Sequence, residues 1–107
     1  MSGAFGDMGN LLKQAQKMQR AMDDAREELK AARLEGTAGG GMVNVTVTGE
    51  GAVERVELSD EVVRLSNKEM LEELLLAALR DGIGKAARLR EERLAQVTGG
   101  LQLPGIF

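Results

Sequence analysis

The fold of this chain is decided by residues 39–58, which read GGGMVNVTVTGEGAVERVEL. Between Val43 and Val47 apolar and polar side chains alternate strictly, which is typical of a strand with one buried face. Residues 49–51 (Gly-Glu-Gly) have the composition of a hairpin loop, and residues 52–58 read as the returning strand. The stretch therefore predicts an antiparallel hairpin in the middle of the chain.

A long amphipathic helix is predicted before this hairpin, from about residue 8 to residue 34. Its apolar residues repeat with alternating spacings of four and three, which places them on one side of a helix. We call this set the apolar seam: Leu11, Ala15, Met18, Met22, Ala25, Leu29 and Ala32. The seam packs either on the chain's own sheet or on another helix in the manner of a coiled coil, and the spacing is compatible with both.

The glycines at 36, 39, 40 and 41 are expected to end this helix and form a flexible turn, although a short strand over residues 35–38 is possible. A second long helix is predicted over about residues 67–97, because Ser66 and Glu69 have the spacing of a capping box. Gly82 and Gly84 lie inside this helix, where a bend or a close helix contact explains them better than ligand binding does.

These helices are too long for a compact monomer. They measure roughly 40 and 45 Å at 1.5 Å per residue, whereas a compact domain of this size has a radius of gyration near ~13 Å. Their apolar residues would be left in water without another subunit, and a two-fold homodimer is the simplest cover. The residues expected at the dimer interface are Leu11, Met18, Met22, Leu75, Leu79 and Ile83.

The predicted fold class is therefore α+β, in two layers. The order is a long helix, a sheet over about residues 35–58, a second long helix, and an apolar tail over residues 98–107. All 107 residues are expected to form one domain.

Composition excludes most catalytic and metal chemistry. The chain has no histidine and no cysteine, so the commonest general base, the thiol nucleophile and the usual zinc ligands are missing. No carboxylate spacing resembles a calcium loop. We therefore expect no enzyme, no metal and no cofactor. The first residues have neither the basic start nor the apolar stretch of a secretion signal, and no apolar run is long enough to span a bilayer, so we expect a cytoplasmic location.

The charges are unevenly distributed along the chain, although the net charge is only −3. Between Met8 and Met22 there are three positive residues and no negative one. These three, Lys13, Lys17 and Arg20, have helical spacing and form what we call the basic stripe. Gln14 and Gln16 accompany it, and amides can hydrogen-bond to phosphates or base edges.

A looser basic group on the second helix contains Lys85, Arg88, Arg90 and Arg93. A charged stripe is often only a solvated helix face. The alternative is contact with the phosphate backbone of duplex DNA. Stacking on single strands is disfavoured, because Phe5 and Phe107 are the two aromatic residues of the chain.

Four blocks together resemble the YbaB/EbfC family of nucleoid-associated proteins. They cover nearly the whole chain in the family's order: residues 7–19 (DMGNLLKQAQKMQ), 39–49 (GGGMVNVTVTG), 68–74 (KEMLEEL) and 99–107 (GGLQLPGIF). Three positions depart from the family pattern. Asn44 stands where many relatives carry lysine, Arg80 where many carry asparagine, and Ser59-Asp60 lacks a common proline. The first departure weakens any contact between the sheet and DNA.

The resemblance implies an α-β-β-β-α subunit with a three-stranded antiparallel sheet, in a homodimer whose long helices project like the arms of tweezers. It implies duplex DNA as the partner, bound by Lys13, Lys17 and Arg20 on one helix and by Lys85 and Arg88 on the other. The function implied is chromosome organisation and gene regulation at the nucleoid. A dimeric adaptor that binds a protein partner through its arms or its tail is the competing hypothesis, which the acidic net charge favours.

Overall fold

A computed structural model describes the chain from residue 3 to residue 99, with side chains from residue 7. Two long helices flank a three-stranded antiparallel sheet of order β1-β2-β3, which confirms the predicted α+β class. From residue 100 onward, the predicted apolar tail lies outside the described residues. The elements are α1 Gly3–Ala31, β1 Arg33–Ala38, a single 3-10 turn Gly39–Gly41, β2 Val43–Thr48, β3 Val53–Leu58, α2 Asp60–Arg64 and α3 Lys68–Gly99.

The central strand β2 supplies the core. Val45 lies opposite Gly36 of β1 and Val56 of β3, and residues that oppose each other across a sheet point to the same face. Val43 and Val47 are fully buried on this inner face, as the alternation predicted. Ala78 and Ala86 of α3 complete the buried cluster, so α3 is the helix that covers the sheet.

Two glycines allow α3 to approach the sheet at backbone distance. A Cβ atom added to Gly36 would collide with the carbonyl oxygen of Ala78 and the backbone of Gly82. A Cβ atom added to Gly82 would lie 2.7 Å from Cγ2 of Val47, inside the van der Waals limit. The close contact expected for Gly82 is therefore confirmed. Gly84 differs, because its added Cβ would meet an arginine side-chain atom at an ordinary 3.7 Å.

The end of α1 and the role of Gly36 were predicted wrongly. The helix ends at Ala31, and Arg33–Ala38 form β1, so the possible short strand exists and begins earlier than expected. Leu34, Gly36 and Ala38 share the inner face with the valines of β2. Gly36 and Ala38 are small because α3 lies against them. In the sequence they stand beside the glycines 39–41, so the whole stretch resembles a turn.

The predicted cap of the second helix was also wrong, by one residue. The side chain of Asn67, and not that of Ser66, accepts a hydrogen bond from the backbone N–H of Met70 at 3.1 Å. Ser66 adopts a left-handed conformation with φ of 49°. The short helix α2 was not predicted. It is capped by Ser59, whose hydroxyl accepts from the N–H of Val62 at 3.1 Å.

The protomer is elongated, with principal extents of 78 × 24 × 16 Å and a radius of gyration of 21.2 Å. Helices α1 and α3 pack against each other where Ala25 and Leu29 are buried and Glu28 pairs with Arg93 at 3.0 Å. Residues 7–20 of α1, which we call the arm, extend beyond this contact. Leu11 on the arm keeps 56% of its surface exposed. The overhang inferred from helix length is therefore confirmed.

The edge strand β3 is exposed on both faces. Val56 and Leu58 lie opposite the buried Val45 and Val43, so they belong to the inner face of the sheet. They nevertheless remain 45% and 40% exposed. The reason is that α3 packs on β1 and β2, and one helix is narrower than three strands, which lie about 4.8 Å apart. The inner face thus ends in an uncovered apolar strip.

The two glycines of α3 provide a matched pair of substitutions. Gly82→Ala should lower the free energy of unfolding by about 1–3 kcal/mol, because the methyl group must displace Val47 in a packed core. Gly84→Ala should leave it unchanged or raise it by up to about 1 kcal/mol, because alanine has the higher helix propensity. Urea denaturation of both variants measures the difference. A Gly82→Ala protein as stable as the parent would contradict the close approach.

Candidate nucleic-acid interface

The basic stripe lies on the arm, where α1 has left the rest of the fold. Lys13, Lys17 and Arg20 are exposed, and they line one shallow concave surface of the helix together with Gln16, Ala21 and Asp24. The three cations are four and three residues apart, so they occupy successive turns of the same face. The structure therefore brings the predicted stripe together as a continuous charged surface.

This surface faces away from the protein's interior. Each helical residue turns the side chain by about 100°, which puts Lys13 and Arg20 opposite the buried Ala25 and Leu29. A ligand that contacts the stripe meets no part of the sheet. The charged side chains of the sheet, which include the ion pairs Arg33–Glu54 and Arg55–Glu57, belong to the other end of the molecule. Folding therefore places the stripe away from the charges of the sheet.

The two glutamines predicted with the stripe occupy different positions. Gln16 lines the same surface as Lys13 and Lys17. Gln14 follows Lys13 directly, so it is turned by about 100° toward the apolar seam. Asp24, which was not predicted as part of this surface, lies one turn beyond Arg20 and places a carboxylate at the end of the stripe. The positive surface is therefore limited to three turns of the arm.

Lys85, predicted to bind DNA from the second helix, has a structural role in the fold. Its ammonium donates to the backbone carbonyl oxygen of Glu35 at 2.8 Å and to Oδ2 of Asp81 at 3.2 Å. The same carboxylate oxygen accepts a hydrogen bond from the backbone N–H of Thr37 at 3.1 Å. Asp81 and Lys85 thus connect α3 to both sides of Gly36 in β1.

The charge of Asp81 is stabilised by these contacts. The hydrogen bond from the N–H of Thr37, followed by that from Lys85, holds the pKa of Asp81 below its ordinary value of 3.8. Both donors favour the ionised carboxylate. Lys85 is therefore partly neutralised by its neighbour and half-buried, which leaves it less of its charge for a phosphate.

The other three residues of the basic group on α3 also differ in their surroundings. Arg90 donates to the carbonyl oxygen of Gly49 at 3.3 Å, and Arg93 pairs with Glu28 of α1 at 3.0 Å. These two side chains connect α3 to the hairpin loop and to α1. Arg88 is exposed to solvent. Of the two predicted DNA-binding residues on α3, Arg88 is the one whose surroundings suit that role.

The two basic groups do not converge within one protomer. Helices α1 and α3 run antiparallel, as the contacts of Arg93 with Glu28 and of Lys85 with Glu35 require. Lys17 lies eleven residues before Glu28, and Lys85 lies eight before Arg93. At 1.5 Å per residue these add about 16 and 12 Å, so the groups are roughly 28 Å apart along the helices.

The predicted interface residues are likewise dispersed. Leu75 and Leu79 pack against the protomer's own core, whereas Ile83 is 42% exposed. Leu11 is exposed on the arm, and Met18 and Met22 are half-buried along the seam. The exposed strip of β3 was not among the predicted interface residues. The sequence does contain its signal, since Val56 and Leu58 alternate with charged residues.

Between residues 3 and 99, no cluster of acidic side chains is arranged to hold a metal ion. In the same part of the chain, every helix is too short or too polar to cross a membrane. The surface most developed for a charged ligand is the basic stripe.

A family model described as the YbaB/EbfC DNA-binding family matches residues 5–101 of the sequence. The chain belongs to the YbaB/EbfC family. A protein from Acetivibrio thermocellus named "Nucleoid-associated protein" is 42% identical to it over 106 residues, which are 98% of this chain and 94% of the relative. The resemblance read from the four sequence blocks is therefore confirmed.

A solved structure of this architecture is also known. The crystal structure of the uncharacterized protein HP0035 from Helicobacter pylori superposes with a TM-score of 0.73 and 27% sequence identity. The match covers 89% of this chain and 97% of that one. The elongated arrangement of two long helices and a small sheet is thus shared with another protein over nearly its whole length.

The contact between Asp81 and Lys85 predicts a dependence of stability on pH. Because the pKa of Asp81 is lowered in the folded state, its contribution is complete above about pH 4 and is lost as the pH falls through the folded-state value. Asp81→Asn should therefore be less stable than the parent at pH 7, and the difference should shrink below about pH 3.8. Thermal melts at several pH values measure it.

Asp24→Asn, which removes the same charge from the surface of α1, serves as the control. If Asp24→Asn and Asp81→Asn changed the melting temperature equally at every pH, the role given to Asp81 would be wrong.

Proposed function

We propose that this protein binds duplex DNA as a homodimer, at phosphates and with little sequence preference, and that it acts in chromosome organisation and gene regulation at the nucleoid. The observation that carries the proposal is the position of the basic stripe. Lys13, Lys17 and Arg20 project on a helix that has left the fold, with the sheet at the other end. The name of the Acetivibrio thermocellus relative points to the same role.

The chemistry of the stripe favours phosphates over bases. Lysine and arginine on an exposed helix face neutralise phosphates, and such contacts carry no sequence information. Gln16 is the neighbouring side chain that could reach a base edge. Within residues 7–99 there is no aromatic side chain on which an unpaired base could stack. Duplex binding with weak sequence preference follows from this composition.

The uncovered strip of β3 supports the homodimer. Val53, Val56 and Leu58 continue the inner face of the sheet beyond the edge of α3. Asp81 lies on the side of α3 that faces β1. Ile83 is two residues later, which is about 200° around the helix, so Ile83 lies on the opposite side, toward β3. The exposed Ile83 and the strip therefore border one apolar surface. A second copy that supplies the same surface would bury both by two-fold symmetry.

The dimer would also gather enough charge to hold DNA. The interface surface is at the sheet, whereas each basic stripe is on an arm that extends the other way from the contact of α1 with α3. Two arms would present six cations, although the dimer as a whole is acidic. This is the tweezer-like arrangement that the family resemblance implies, with Arg88 as a further contact from α3.

The competing function is a dimeric adaptor for a protein partner. Its support is the net charge of −3 together with an apolar groove between α2 and α3. The residues that line this groove are Leu58, Val62, Val63, Ser66, Asn67, Lys68 and Leu71. A groove of this kind binds apolar side chains, and such binding would depend little on salt.

The homodimer predicts a particle of near twice the 11.5 kDa chain mass in light scattering at micromolar concentration. Val56→Asp should shift it toward the monomer, because a charge in an apolar interface is costly. Arg55→Asp, on the opposite face of the same strand, is the control and should stay dimeric. A stable monomeric parent would refute the homodimer, and a dimeric Val56→Asp would place its interface elsewhere.

The DNA-binding stripe predicts a steep dependence of affinity on salt. If six cations meet phosphates, log affinity should fall against log salt with a slope near about −5. The triple variant Lys13→Gln, Lys17→Gln, Arg20→Gln should bind more weakly at low salt, and its slope should flatten by several units. A titration of a labelled duplex at several salt concentrations gives both values.

The control for the triple variant removes three positive charges elsewhere, through Arg26→Gln, Lys30→Gln and Lys68→Gln, which are all exposed. It should keep the parental slope. Equal loss of affinity in both variants would show that binding depends on the total charge of the protein and not on the position of the stripe. A parent that fails to bind duplex DNA at low salt would favour the adaptor.

A further inference from the structure

The apolar seam of α1 continues onto the arm, beyond the part of the helix that α3 covers. Ala25 and Leu29 are buried where α1 meets α3. One and two turns toward the start of the helix, Met22 and Met18 are half-buried. On the same side of the arm, Leu11 is then 56% exposed. The side of the helix that packs against α3 thus extends beyond the end of α3.

The chain that follows α3 leaves it beside this seam. Because the helices are antiparallel and Glu28 pairs with Arg93, the residue six positions after Arg93 lies level with the residue six positions before Glu28. Gly99 is therefore abreast of Met22. Residues 100–107 begin at this point, and α3 is directed along the arm.

The segment 100–107 has the length and composition to cover the seam. In an extended conformation eight residues span about 26 Å, whereas Met22 and Leu11 are separated by about 17 Å of helix. The segment has no charged side chain, and Pro104 and Gly105 oppose helix continuation. Its apolar residues are Leu101, Leu103, Ile106 and Phe107.

We propose that residues 100–107 bind along the apolar seam of the arm in the same protomer, with Ile106 close to Leu11. A second copy is the less suitable occupant, because the β3 strip and Ile83 already give the dimer a surface at the sheet. Leu11 and Met18, predicted at the dimer interface, would then be covered by the chain's own segment. The basic stripe is on the opposite face and stays accessible, so this inference goes beyond the proposed DNA binding and does not depend on it.

Disulfide trapping tests the contact in the full chain, since the native sequence has no cysteine. Leu11→Cys with Ile106→Cys should form an intramolecular disulfide about tenfold faster than Lys13→Cys with Ile106→Cys, because a bound segment raises the local thiol concentration at one face. Lys13 is two residues from Leu11 and on the opposite side of the helix. Non-reducing mass spectrometry of both variants gives the rates and the species.

Equal rates for the two pairs would overturn the proposal, because a segment that is merely tethered samples both faces. A covalent dimer as the main product would also overturn it, since the segment would then bind the partner's arm. A second measurement follows the reactivity of the single thiol in Leu11→Cys. Adding Ile106→Ser and Phe107→Ser should make that thiol several-fold more reactive, whereas the thiol of Lys13→Cys should not change. An unchanged Leu11→Cys thiol would count against the contact.

Discussion

The structure depends on the close approach of α3 to the sheet at Gly36 and Gly82. A side chain at either position would separate the two layers, and the contact is reinforced on both sides of Gly36 by Asp81 and Lys85. Backbone approach at this point centres α3 on β1 and β2. The valines of β2 become fully buried, while β3 is left at the margin with Val56 exposed. The same constraint that forms the core therefore leaves an apolar edge for another subunit.

The approach also fixes the direction of the arm. β1 lies along α3, and a single residue separates β1 from the end of α1. Helix α1 therefore runs antiparallel to α3, and its first half extends past the C-terminal end of α3. The outer side of that extension carries Lys13, Lys17 and Arg20, and the inner side carries the apolar seam. A protomer of acidic net charge can thus present a positive surface, because residues 8–22 contain no carboxylate and the charges of the sheet are held farther away than the screening length of about 8–10 Å.

Much of this was readable from sequence where one periodicity decides the structure. The strict alternation of Val43, Val45 and Val47 and the seam spacing of α1 each predict one element correctly. Sequence reasoning failed where the role of a residue depends on a contact with residues far away in the chain. Gly36 resembles a turn residue until α3 is known to lie against it. Lys85 resembles a free cation until Asp81 and the carbonyl group of Glu35 are found beside it. The basic stripe was predictable because its residues belong to one helix, whereas its separation from Arg88 required the packing of α1 on α3.

If the proposed function is right, DNA lies against the outer face of the arm. A photo-crosslinking amino acid placed at Lys17 detects this contact, with the same group at Glu57 on the outer face of the sheet as the reference. On irradiation with a labelled duplex at low salt, we expect efficient crosslinking from position 17, little from position 57, and loss of the product as salt is raised. Crosslinking from position 57 that equals or exceeds that from position 17 would contradict it.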